Sequence, residues 1–130
     1  MPRLSVWMVR FSLIYLGIGM TIGGMMLWNK GIFISVDLWR LLPYHIELML
    51  FGWVMQLVMG VAFWIVPRYT TPPRYGKTHR AWIAFAMFNI GLWLVLIQHT
   101  WLILVGRVLM LLAVVLFVVY LFPRLKPYGE

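Results

Sequence analysis

Long hydrophobic stretches and short polar segments alternate along this chain. The four hydrophobic stretches cover about 7–28, 44–66, 80–97 and 101–122. The length of each stretch is close to the ~20 residues that an α-helix needs to cross a bilayer. If the last two stretches formed one continuous helix, that helix would be about twice as long as a bilayer requires. We therefore expect a tight turn at Gln98-His99-Thr100. The pattern predicts an all-α fold, an integral membrane four-helix bundle, with a single transmembrane domain over 1–130.

The composition agrees with a membrane chain and excludes several kinds of chemistry. Hydrophobic residues make up 64% of the 130 residues and charged residues 11%, which is unlike a soluble domain. The chain has no cysteine, so disulfides, cysteine-held iron–sulfur clusters and covalently attached c-type haem are excluded. Three acidic residues in all leave no paired carboxylates for acid–base catalysis. We therefore do not expect bond-making chemistry from this chain on its own.

The basic residues predict how the chain is oriented. A net charge of +8 in so apolar a chain indicates cytoplasmic loops rich in Lys and Arg, not a nucleic-acid partner. Most of these residues flank one side of the predicted helices: Arg3, Arg10, Arg68, Arg74, Lys77, Arg80, Arg124 and Lys126. The other side has only Lys30 and Arg40. The positive-inside rule then puts both termini in the cytoplasm, in a multi-pass protein of the inner membrane whose first helix is retained.

Two histidines are expected near the outer membrane surface at similar depth. His45 begins the second hydrophobic stretch, and His99 follows the third. Two neutral imidazoles that face each other across a cavity are the ligands of six-coordinate haem b, each donating its other N–H to a nearby acceptor such as Gln98. His45 has a simpler interpretation, as an interfacial residue bonded to headgroups or water. The third histidine, His79, falls in the predicted cytoplasmic loop and cannot join them.

One face of the second helix suits either a flat group or a closely packed neighbour. At helical spacing His45 shares this face with Gly52, Gln56 and Gly60. The first stretch offers the small-xxx-small pair Gly19/Gly23, which allows close helix packing or a porphyrin against the helix. In the third stretch, Asn89 is expected to form a hydrogen bond between helices.

An arginine inside the fourth stretch needs a partner. Arg107 lies about 9 Å into the helix, counting from Trp101 at ~1.5 Å per residue, and a guanidinium at that depth is costly when it is alone. Glu47, which points away from the His45 face and lies about as deep from the same side, would form a structural ion pair. Haem propionates near the outer surface are the other candidate partner, with Arg40 assisting.

The second stretch resembles transmembrane helix two of subunit I in the haem–copper oxidase superfamily, above all in the C-family oxidases and nitric oxide reductases. That helix begins with the histidine that ligates low-spin haem b. It continues with a glycine-rich middle, a small residue before an aromatic pair, and a proline at a fixed interval. The matching residues here are His45, Gly60, Ala62, Phe63, Trp64 and Pro67.

Two further segments strengthen the resemblance and one departs from it. The first stretch, from Arg10-Phe11-Ser12-Leu13 to Gly23-Gly24, resembles helix one of that family. The pattern His45-x-Glu47-x-Met49-x-x-Gly52-Trp53 is similar to small four-helix relatives, although those have a histidine and an asparagine in place of Glu47 and Met49. Thr78-His79-Arg80-Ala81-Trp82 with Asn89-Ile90-Gly91 resembles their third helix more loosely.

The resemblance implies haem b on His45, near the outer membrane face. The family's second low-spin ligand comes from a late helix, and its copper ligands and tyrosine have no counterpart in these stretches, so oxygen or nitric oxide reduction by this chain alone is not expected. We expect a b-type cytochrome or the haem-carrying subunit of a respiratory or electron-transfer complex. The axial ligands would be His45 and either His99 or a histidine of a partner or second copy. Gly52, Gln56 and Gly60 would line the porphyrin.

The expected partners are the lipid bilayer, other membrane subunits or further copies of the chain, and an electron donor on the outer side. Two alternatives remain at this point. The chain could be a haem-free accessory subunit of an oxidase-like membrane complex, or an insertion factor for haem or copper. An absorbance spectrum separates the cytochrome from the accessory subunit.

Overall fold

A computed structural model describes residues 1–126 of the chain, and these residues form a bundle of four long helices without strands. Each helix is long and apolar enough to cross a membrane, which confirms the predicted all-α membrane fold. The four are α1 (Arg3–Gly31), α2 (42–65), α3 (Thr78–Leu96) and α4 (Thr100–Leu121). Helix α1 extends beyond the predicted 7–28 at both ends, to Arg3 and Gly31.

Helix α2 contains a segment with an unusual turn. It begins as the α-helix Leu42–Glu47, continues as the π-helix Leu48–Met55 and ends as the α-helix Gln56–Ile65. Pro43 stands in its first turn, where a missing N–H removes no helical hydrogen bond. The wider i→i+5 turn of a π-helix is rare and frequently occurs at functional sites. Here it separates His45 from Gln56.

The turn between α3 and α4 lies where the hydrophobic pattern predicts it. Helix α3 ends at Leu96, and α4 begins at Thr100. Gln98 has a φ of 61°, a left-handed conformation that commonly ends a helix. Its side-chain amide donates to the carbonyl oxygen of Val95 at 2.9 Å. One of the last carbonyl groups of α3 is thereby satisfied.

Helices α3 and α4 pack closely because two glycines meet at their crossing. A Cβ atom added to Gly91 would lie 2.7 Å from the carbonyl oxygen of Gly106, and one added to Gly106 would lie 2.6 Å from that of Gly91. Larger residues would push the backbones apart. Between α1 and α3, the hydroxyl of Tyr15 donates to Oδ1 of Asn89 at 2.7 Å, which confirms the interhelical bond predicted for Asn89.

The four helices run antiparallel, so the bundle has two different ends. The His45 end carries the 32–41 connection and the α3–α4 turn. The Arg124 end carries the 66–77 loop, the start of α1 and the short 3₁₀ segment Phe122–Arg124. His45 and His99 therefore lie at one end, as expected, and His79 lies at the other.

Candidate functional site

The imidazole of His45 is held against α1. Its Nδ1 atom lies 2.7 Å from the carbonyl oxygen of Gly19. A carbonyl oxygen only accepts hydrogen bonds, so Nδ1 carries the proton, and in the neutral ring the lone pair is on Nε2. The hydrogen bond thus fixes both the tautomer and the direction of the ring. This is the arrangement by which proteins orient a metal-binding histidine.

Two glycines of α1 make the space in which α2 places this ring. A Cβ atom added to Gly23 would lie 2.6 Å from Cε1 of His45, and one added to Gly19 would lie 2.8 Å from Sδ of Met49. By contrast, Gly24 has open space around it. The small-xxx-small pair therefore serves helix packing, and Gly23 in particular accommodates the imidazole.

The second ring nitrogen of His45 is not fully buried. Within residues 1–126, Nε2 has no hydrogen-bond partner, and it is not among their fully buried unpaired polar atoms. The side chain is half-buried. His45 therefore offers one oriented nitrogen lone pair to a group that approaches from beyond these residues.

His99 is less constrained. It is exposed and immediately precedes α4, without a side-chain hydrogen bond to the start of that helix. Gln98, the acceptor suggested for it, donates its amide N–H to Val95, and no hydrogen bond between Gln98 and His99 is formed within residues 1–126. Among the described residues no hydrogen bond joins His45 to His99, and no group of three or more His, Cys, Asp or Glu side chains is placed to hold a metal ion.

The face of α2 that was expected to receive a flat group packs on α1. A Cβ atom on Gly52 would lie 2.8 Å from Cβ of Tyr15, and one on Gly60 would lie 2.8 Å from Cβ of Met8. The amide of Gln56, between the two glycines in sequence, is buried, and neither of its polar atoms has a hydrogen-bond partner within 1–126. The interior of the bundle beside this face is thus filled by α1.

Glu47 and Arg107 form an ion pair between α2 and α4. Nη1 of Arg107 donates to Oε2 of Glu47 at 2.9 Å, and Nη2 donates to Oε1. The carboxylate is buried, whereas the arginine side chain is 42% exposed, and its guanidinium lies 5.0 Å above the ring of Phe51. Two partners were predicted for Arg107, and in the structure it pairs with one of them, the carboxylate of Glu47. The role at haem propionates stays a prediction.

Arg40 lies in the connection before α2. Its side chain is 84% exposed and pairs with Asp37, Nε to Oδ1, at 3.4 Å. An exposed pair of this kind is weak, so the guanidinium stays available to an anionic group at the His45 end of the bundle.

From the sequence, Arg124 indicated only the orientation of the chain, and its structural role was not predicted. The side chain is 2% exposed, and it donates to the last carbonyl groups of α2. Nε reaches the oxygen of Pro67 at 3.0 Å, and Nη2 reaches those of Phe63 and Val66 at 3.0 and 2.8 Å. The carbonyl groups at a helix end require such partners. The end of the helix at Val66-Pro67 was therefore the signal in the sequence that a donor such as Arg124 was needed there.

Comparisons with protein-family models, with curated proteins and with solved structures found no match for this chain.

Proposed function

We propose that this chain is the haem-carrying subunit of a membrane electron-transfer complex, a b-type cytochrome in which Nε2 of His45 is an axial ligand. The observation that supports the proposal is the hydrogen bond from Nδ1 of His45 to the Gly19 carbonyl. It leaves an oriented lone pair on the other nitrogen, and that nitrogen has no partner within residues 1–126. Haem b, when bound, supplies reversible one-electron chemistry.

The packing of α1 on α2 favours a site on the outside of the bundle. Tyr15 and Met8 fill the space beside Gly52 and Gly60, so a macrocycle would lie where His45 opens outward. The second imidazole would come from His99, which is exposed at the same end, or from a partner or second copy. In this arrangement the residues of this chain hold the ligand ring, fix its tautomer and present Arg40 to the propionates.

The test is a reduced-minus-oxidised absorbance spectrum of the protein purified in detergent after expression with ample haem. We expect a b-type α band that His45→Ala abolishes and that the matched control His79→Ala, at the opposite end, leaves intact. Circular dichroism and the elution profile show whether each variant is folded. A band that survives His45→Ala but disappears with His99→Ala would make His45 the wrong principal ligand. Absence of any band in the folded parent protein would remove the cytochrome.

A second candidate function, a haem-free accessory subunit of a membrane complex, is favoured by a different observation. Two arginines have partners inside the chain: Arg107, within α4, pairs with Glu47, and Arg124, just after α4, donates to the end of α2. On this interpretation the His45–Gly19 bond only joins two helices. The folded protein would then lack the absorbance band and would copurify with other membrane subunits. An insertion factor would instead be recognised when its deletion removes haem or copper from a neighbouring oxidase.

A further inference from the structure

A cavity at the Arg124 end of the bundle has basic, aromatic and apolar walls. Its volume is about 260 Å³, and the residues lining it include Lys77, Arg80, Tyr69, Tyr120, Val119 and Pro123. We refer to it as the Lys77–Arg80 cavity. It lies between the 66–77 loop, the start of α3 and the end of α4, far along the bundle from His45.

The backbone around the cavity is held in place by hydrogen bonds. The N–H of Tyr69 donates to the carbonyl oxygen of Arg74 at 2.8 Å, and that of Thr78 donates to Gly76 at 2.9 Å. Gly76 has a φ of +67°, a conformation that glycine adopts without strain, and this bend brings Lys77 to the start of α3. The hydroxyl of Tyr120 donates to the carbonyl oxygen of Tyr75 and joins the loop to α4. The folded loop thus presents Lys77, and Arg80 follows it in the first turn of α3.

The positive charge of the cavity has no carboxylate to balance it within residues 1–126. Those residues contain two acidic side chains, Asp37 and Glu47, and both are paired elsewhere, with Arg40 and Arg107. Lys77 and Arg80 also stand at the beginning of α3, where the helix dipole adds further positive potential. An anionic group bound between them would balance this charge.

The walls of the cavity indicate which anion fits. Val119 and Pro123, at the end of a membrane-spanning helix, give it an apolar side next to the two cations. A free phosphate ion would use only the cations, whereas a phospholipid would place its phosphate on them and its glycerol and acyl portion on the apolar side. We propose that the Lys77–Arg80 cavity binds the phosphate group of an anionic phospholipid from the adjacent leaflet.

The test compares lipid binding to two variants of equal charge. The double variant Lys77→Gln/Arg80→Gln removes both cavity cations, and the control Arg74→Gln/Lys126→Gln removes two exposed cations that do not line the cavity. Native mass spectrometry of the detergent-purified proteins, titrated with phosphatidylglycerol or phosphatidylcholine, measures the retained lipid. We expect the cavity variant to lose phosphatidylglycerol affinity at least about 30-fold, since each charge-assisted hydrogen bond to the bound phosphate is worth at least ~1 kcal/mol and the control residues make none. The control should change it by less than about 3-fold.

Three results would overturn the proposal. The first is an equal loss in both variants, which indicates a general charge effect. The second is equal binding of phosphatidylglycerol and phosphatidylcholine to the parent protein. The third is displacement of the lipid by millimolar inorganic phosphate, which identifies a soluble phosphate ligand. If the double variant aggregates, the single variants decide, each with an expected loss of at least about 5-fold.

Discussion

Glu47 and Arg107 join α2 to α4 through a two-point ion pair inside the membrane-spanning part of the bundle. At the other end of the same interface, Arg124 donates to the last carbonyl groups of α2. Between these two polar contacts lies an apolar cavity of about 250 Å³ whose lining residues include Phe51 and Met110. Because the middle of the interface is open, Arg107 of α4 and Arg124 just after it supply the polar contacts that join α4 to α2.

The ion pair leads to a prediction about stability. Arg107→Met leaves the carboxylate of Glu47 buried without a partner, and we expect a loss of about 3–5 kcal/mol in the free energy of unfolding. Glu47→Leu/Arg107→Met replaces the pair by apolar side chains and should recover most of that loss. Unfolding in mixed micelles, followed by tryptophan fluorescence, measures both. A double variant no more stable than Arg107→Met would contradict the prediction, because it would mean that the loss does not come from leaving Glu47 without a partner.

Neighbouring glycines of α1 provide a matched test of the His45 site. Gly23→Ala brings a methyl group into the imidazole, whereas Gly24→Ala meets open space. Both changes raise helix propensity equally, so their difference reports the crowding of the ring, which we expect to cost about 1–3 kcal/mol of stability. If haem is bound as proposed, Gly23→Ala also weakens the b-type absorbance band and Gly24→Ala does not. Identical stabilities would mean that the ring moves freely away from α1.

Arg124 provides a third prediction. Arg124→Gln removes a charged donor from three carbonyl groups, and we expect a loss of at least about 2 kcal/mol in unfolding free energy. Arg124→Lys keeps the charge but lacks the forked donor geometry, so it should restore less than half of the loss. The control is Lys126→Gln, which changes an exposed side chain and should leave stability within about 0.5 kcal/mol. Full recovery with lysine would show that charge alone stabilises this end of α2.

The hydrophobic pattern was sufficient to predict the number, type and approximate bounds of the helices, because only long apolar helices satisfy their backbones in a bilayer. Local spacing also predicted that Glu47 points away from the His45 face. The expectation that Gly52 and Gly60 would line a flat group stays a prediction about a bound state, since in this structure Tyr15 and Met8 lie against them.

Other features depended on contacts between distant segments. The π-helix Leu48–Met55 leaves no signature in a continuous apolar run, because apolar side chains suit an α- and a π-turn equally. The role of Arg124 depends on where α4 ends relative to α2, and the partner of the His45 ring is a backbone carbonyl. A backbone group is present at every residue, so sequence could not single out Gly19.

The last prediction concerns Gln56, whose amide is 1% exposed and without a hydrogen-bond partner among the described residues. An unsatisfied buried amide is destabilising, so Gln56→Met should raise the free energy of unfolding by about 1 kcal/mol. The control is Gln98→Met, which removes an amide that does donate a hydrogen bond and should lower stability by about 0.5–1.5 kcal/mol. Denaturation of the haem-free protein, monitored by tryptophan fluorescence, compares the two. If Gln56→Met is destabilising in the haem-free protein, the amide has a partner of its own inside the bundle, and the prediction of a gain is wrong.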